Sequence, residues 1–230
     1  MTQPSLCFLV PGDWHTPTGG YAYDRRMTQA LRAAGWPVTV CQLGGNWPQP
    51  DALALEQADA CLKSLPDDTL VLADGLAFGA MPQLAQAHAG RIRWVALVHH
   101  PLHLETGIAE AERLRLLKCE THALKVAQQV VVTSRHTVND VVAMGVPASH
   151  ITVVEPGTDP VPLADRHRLP RPAGPVRLLC VATVTPRKGH AVLLQDMEQR
   201  MLLSAFSPSN LLRLLELAPD FPFAAGMLLH

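Results

Sequence analysis

Three short stretches of this sequence hold residue types that could do chemistry together. VATVTPRKGH (181–190) reads as a strand running into a turn that brings Arg187, Lys188 and a glycine to the mouth of a helix. An α/β domain presents cations to a diphosphate in this way. PGDWHTPTGGYAYDRRM (11–27) sets Gly19 and Gly20 at the start of a helix, after an apolar strand. Backbone N–H groups and the helix dipole can meet an anion there, and a missing Cβ lets the ligand come close. VHHPLHLETG (98–107) closes an apolar run with His99 and His100, at a strand end that faces the ligand crevice in a parallel sheet.

Each stretch also has a plainer reading. The glycine pair could serve a turn that needs positive φ, and His99, His100 and His103 could be hydrogen-bonded structural histidines. The three histidines on one irregular loop give no recognised ligand spacing, so no metal is expected. In TSRHTVNDV (133–141), Ser134 or Thr133 can cap a helix, and capping accounts for either residue. The fingerprints GxGxxG and GxxxxGK[ST] are absent, which weakens a dehydrogenase or P-loop reading.

The elements that must position these residues follow a βαβα rhythm. LCFLV (6–10), VTVCQL (38–43), TLVLAD (69–74), RWVALVHH (93–100), QVVVTS (129–134) and ITVVEP (151–156) read as buried parallel strands, apolar on both faces. Helices are expected over 20–33, 52–64, 77–88, 108–127 and 137–144, with Gly35 and Gly145 as stops. This is an α/β, doubly wound parallel sheet. The expected organisation is a Rossmann-like domain over 1–160, a proline-rich linker over 161–175, and a second α/β unit that opens at 176 and stays incomplete through 230.

Composition narrows the field. Hydrophobic residues make up 48% and charged residues 17%, which fits a chain with a sizeable core and excludes a disordered one. A formal net charge of −1 gives no electrostatic footprint for nucleic acid. No apolar run approaches the roughly 20 residues of a membrane span. The five cysteines are scattered and form no CxxC pair, which suits buried thiols in a reducing, cytoplasmic setting. No oligomer interface is evident.

Taken in order, these pieces resemble the family-4 glycosyltransferases, retaining enzymes of GT-B architecture. The glycine pair follows strand one, a histidine follows the strand before the long helix, and VTSRHTVNDVVAMGVPASHITVVEPGTD (132–159) is similar to the close of the family's first domain. VATVTPRKGHAVLLQ (181–195) is similar to the opening of its second. The resemblance implies a nucleotide-diphosphate sugar as donor, no cofactor or metal, and an acceptor bound mainly by the first domain. Lys188, with Arg187, would neutralise the leaving diphosphate, Gly19 and Gly20 would approach it, and His99 would lie near the transferred sugar. His100 and Ser134 are the further binding candidates.

Two departures go with the resemblance. Ala182-Thr183 stands where the family often has Gly-Arg, and the family's late pair of glutamates separated by seven residues has no counterpart. Glu112 and Glu120 have that separation but read as solvated positions on the 108–127 helix. From residue 196 the sequence departs from the family, and the expectation is a truncated or frame-shifted product lacking most of the donor domain. The alternative function is a non-catalytic α/β module that binds an acceptor or a partner.

Overall fold

Leu6, Phe8 and Val10 point to one face of the first strand and Cys7 and Leu9 to the other, and all of them are buried. A strand apolar on both faces belongs inside a covered parallel sheet. The computed structural model, which describes residues 5–158, 180, 182, 184 and 186–200, builds that sheet from β1 (Leu6–Pro11), β2 (Val38–Leu43), β3 (Thr69–Asp74), β4 (Ile92–Val98), β5 (Gln129–Val132) and β6 (Ile151–Val153). All pairings are parallel, in the order β2-β1-β3-β4-β5-β6. Phe8 sits between Val40 and Leu72 in the central register.

The connecting helices are α1 (Gly19–Ala33), α2 (Ala52–Ser64), α3 (Gly75–Phe78), α4 (Pro82–Ala87), α5 (Glu110–Leu124) and α6 (Arg135–Ala143). The step from β1 to β2 runs one way along the sheet and the later steps run the other way. Right-handed crossovers therefore put α1 on one face and α2 to α6 on the opposite one. The two cores agree. Tyr23, Met27 and Leu31 of α1 pack with Phe8 and Val10, while Ala58, Phe78, Leu124 and Val141 pack with Leu9, Trp94 and Val132. Gly35 follows α1 with φ of 86° and Gly145 follows α6 with φ of 89°, left-handed stops that glycine adopts freely.

Several expectations shift. The single helix over 77–88 is two, α3 and α4. Pro82 opens α4 and has no N–H to continue a helix through the break. Strands β2 and β6, at the sheet edges, are buried only in alternation or in part, so they are not apolar on both faces. Strand β4 ends at Val98, which places His99 and His100 in the loop beyond it. Cys41 on β2 and Cys61 on α2 face each other, with Cα atoms 7.4 Å apart. Both pack against the same core cluster, which is what brings them together. Cys7 is a buried thiol that burial pushes up to about 11.

The chain divides into two units, Met1–Thr158 and Asp159–His230. In the second, a 3-10 turn (Pro186–Lys188) leads through Gly189, with φ of 69°, into α7 (His190–Arg200). The expected linker over 161–175, most of the strand expected over 176–184 and the tail from 201 lie outside the described residues. No helix among the described residues is long and apolar enough to cross a membrane.

Candidate active site at the carboxyl ends of three strands

β1 and β3 are neighbours whose following connections leave for opposite faces, which makes the gap beyond their carboxyl ends the crevice where open α/β sheets bind ligands. Three polar residues meet there. Asp24 comes from the second turn of α1, Asp74 ends β3, and His99 follows β4. The His99 Nε2 lies 2.9 Å from Asp24 Oδ1 and 3.6 Å from Asp74 Oδ2. Asp24 is completely buried, Asp74 nearly so, and the histidine ring keeps one exposed side. The Tyr23 ring meets the imidazole edge-on, centroids 5.3 Å apart. Thr133 Oγ1 donates to the His99 carbonyl at 3.2 Å, tying the loop to the end of β5.

Burial raises the Asp74 carboxyl to about 7, the charge of Asp24 adds to the rise, and His99 and the Leu76 N–H work against it. Burial pulls the His99 imidazole down, yet its hydrogen bond to Asp24 and the charges of Asp24 and Asp74 outweigh that, and the net shift is upward. Asp24 Oδ2 is buried and no N–H donor meets it. Asp74 Oδ1 accepts from the Leu76 N–H at 2.7 Å and so caps α3. The cluster is therefore two buried carboxyl groups beside an imidazole whose basicity they raise. Each of the three residues also offers one metal-ligating atom, all within 4.8 Å of one another, so these are the described residues that could hold a cation.

A cavity of about 490 Å³ opens beside the cluster. Gly20, His99 and His100 all line it, so three of the expected site residues come together. Gly19 and Gly20 open α1 without positive φ, which removes the turn reading. A Cβ on Gly20 would meet only the His99 ring, at 3.7 Å, and one on Gly19 would meet nothing within 4 Å. Ser134 caps α6, accepting from the Thr137 N–H at 3.2 Å, and is absent from the cavity wall. Lys188, exposed, and Arg187 belong to the turn before α7, in the other unit.

The glutamates of α5 correct the sequence reading. Glu120 is 1% exposed and accepts the Leu102 N–H at 2.9 Å, with His103 Nδ1 3.7 Å away. Burial pushes its carboxyl up, against the pull of His103 and Leu102. Glu112 is partly covered, lines the cavity and grips Arg115 through two hydrogen bonds of 2.7 and 2.8 Å. Neither is a simple solvated position.

Asp24 and Asp74 are not among the candidates read from the sequence, and Glu120 reads there as a solvated position, although each leaves a signal. Glu120 lies four residues from both Leu116 and Leu124, inside the buried stripe of its helix. Asp24 shares a row with Gly20 and Thr28 on α1. Asp74 is a carboxylate closing an otherwise apolar parallel strand.

Strand order and site together define a Rossmann-like α/β domain with a polar cluster at its switch point. Residues 68–161, from β3 to β6, match the model of Glycosyltransferase Family 4. Among solved structures, the chain is similar to Anabaena Alr3699/HepE, crystallised in complex with UDP, at 18% identity and a TM-score of 0.40. That match covers 67% of this chain and 44% of the HepE chain, so the chain spans less than half of that relative. A pyrethroid hydrolase, PytH, is similar at 15% identity and a TM-score of 0.34, covering 57% of this chain and 78% of that one. No curated protein sequence matches.

Proposed function

We propose that this chain is built to transfer a sugar from a nucleotide-diphosphate sugar to an acceptor hydroxyl, with retention at the anomeric carbon. In that reaction the bond from the anomeric carbon to the diphosphate breaks, the diphosphate leaves with the electron pair, and the acceptor oxygen forms the new bond. The acceptor's proton leaves with the departing phosphate. The observation that carries the reading is His99, whose Nε2 lies 2.9 Å from Asp24 and 3.6 Å from Asp74, on the wall of a cavity that also contains Gly20 at the α1 N-terminus.

Each part has a physical role. Gly19 and Gly20 leave open space where the helix N-terminus favours an anion. His99 has its Nε2 committed to Asp24, and no described residue bonds its Nδ1, so a protonated ring can donate there to the sugar. Lys188 and Arg187 would neutralise charge on the leaving diphosphate, an electrostatic contribution realised as the bond breaks. Asp24 and Asp74 are positioning residues, since they act through the imidazole.

The test is calorimetric titration of the whole chain with UDP, GDP and ADP, followed by a Lys188→Ala variant. One nucleotide should bind saturably, and the variant should weaken it about tenfold, the equivalent of ~1.4 kcal/mol. Absence of binding by all three would overturn the transferase reading. The alternative, a non-catalytic binding module, would then be the one to pursue.

A further inference from the structure

The wall of the 490 Å³ cavity carries more information than a transferase needs in general. Its volume lies within the ~300–1,000 Å³ typical of small-molecule sites. Leu76, Leu102, Ile108 and Leu116 give it an apolar lining, joined by Pro48 from the segment after β2. Three carboxylates, Asp74, Glu105 and Glu112, share the wall, and among the described residues no Lys or Arg does.

The charges of the wall decide what can sit there. Arg115 meets the Glu112 carboxylate with two nitrogens, and Gln49 donates to it at 3.0 Å. Arg115 and Gln49 hold that carboxyl down to about 2, so it stays ionised and paired. Asp74 Oδ1 accepts from the Leu76 N–H at 2.7 Å and its Oδ2 lies 3.6 Å from His99 Nε2. These two carboxylates are therefore compensated already, Glu105 accepts from the Thr106 N–H at 3.2 Å, and the wall offers little to an ammonium group. The imidazole of His99 is paired in turn with Asp24, at 2.9 Å. A phosphate or carboxylate seated at the Glu112 end would meet acidic oxygens with no uncompensated cation to offset them. Ionised carboxylates do accept hydrogen bonds from hydroxyls, and apolar side chains beside them suit a hydrocarbon or aromatic body.

We infer that the Glu112 end of this cavity takes an uncharged, hydroxyl-rich acceptor carrying an apolar portion, of the kind represented by aryl glycosides, and discriminates against phosphorylated and amino sugars. The inference deepens the transferase reading and rests on it for the ligand's role as acceptor. The apolar portion lies against Leu102, Ile108 and Leu116, and hydroxyls meet Glu112.

Direct binding to the full chain, without donor, tests this. The probes are p-nitrophenyl glucoside, galactoside and mannoside, with glucose 6-phosphate and glucosamine as charged controls, read by saturation-transfer NMR and calorimetry. At least one aryl glycoside should bind about ten times more tightly than either control. Ile108→Lys, a change in the loop before α5, should weaken that glycoside about tenfold and narrow the gap to glucose 6-phosphate. Equal or tighter binding of a charged sugar, or no binding by any aryl glycoside, would overturn the inference. The nucleotide titration separates the two claims. Glycoside binding without nucleotide binding sinks the transferase reading and leaves the ligand class standing. Nucleotide binding without glycoside preference does the reverse.

Discussion

The Nε2 of His99 lies 2.9 Å from Oδ1 of Asp24, although 75 positions separate them in the chain. Asp24 is fully buried, so this is a charge-assisted bond in a dry setting rather than a surface pair. Asp24→Asn removes the charge and leaves burial as the dominant influence on the ring. The His99 titration, followed by NMR of the imidazole protons, should fall to a lower pH than in the parent. Nucleotide affinity near neutral pH should fall with it. An unchanged His99 titration would mean that Asp24 does not hold the proton.

The same cluster sets a pH dependence of stability. Asp74 is raised from 3.8 to about 7, so between those values the folded state binds more protons than the unfolded one. Stability therefore falls as pH rises through that window. His99, also raised, adds a loss in the same direction as pH passes from its unfolded value through its folded one. Asp74→Asn keeps an acceptor for the Leu76 N–H and removes one titration. Thermal melts at about pH 5, 6, 7 and 8 should show a flatter profile for this variant, and an equally steep one would contradict the assignment.

Glu120 separates a hydrogen bond from a charge. Glu120→Gln retains an acceptor for the Leu102 N–H and avoids burying a carboxylate, so denaturant midpoints should move little. Glu120→Ala strands that N–H, at a cost of about 1–3 kcal/mol, and opens space beside Gly79. A small effect of alanine would show that the Leu102 turn is not anchored by α5.

Two glycines should respond in opposite ways. A Cβ on Gly75 would lie 2.9 Å from the Leu97 carbonyl oxygen and 3.4 Å from Val98 Cα, both backbone. Gly75→Ala must therefore push α3 off β4, and the expected loss is that of an overpacked core, roughly 1–3 kcal/mol. Gly20→Ala meets only the His99 ring at ordinary contact distance. It should fold as well as the parent yet weaken nucleotide binding, a split that calorimetry and thermal melts read together.

Much of the fold could be read from the sequence because parallel strands buried on both faces leave unbroken apolar runs, as LCFLV and TLVLAD do. Helix stops were legible at Gly35 and Gly145 for a similarly local reason, a left-handed residue after the last turn. The split between α3 and α4 was less visible, because the apolar pattern runs on through Gly79 and only Pro82 marks the restart. Within the site, Gly20 and His99 were legible as strand-end residues. Their partners were not, because a buried charge is recognised by what faces it. Asp24 looks like one more polar helix residue until the fold places His99 beside it.

The strand order has a consequence for how the molecule is made. No hairpin can join Asp24, Asp74 and His99, since β1, β3 and β4 pair only in parallel and every step needs a crossover. Loop closure costs entropy before those pairings can form, and contacts of this range form late. The imidazole of His99 is thus a clock for the chain's assembly. Its displaced proton signal should emerge only after most helical signal has appeared, when the third and fourth strands have docked against the first.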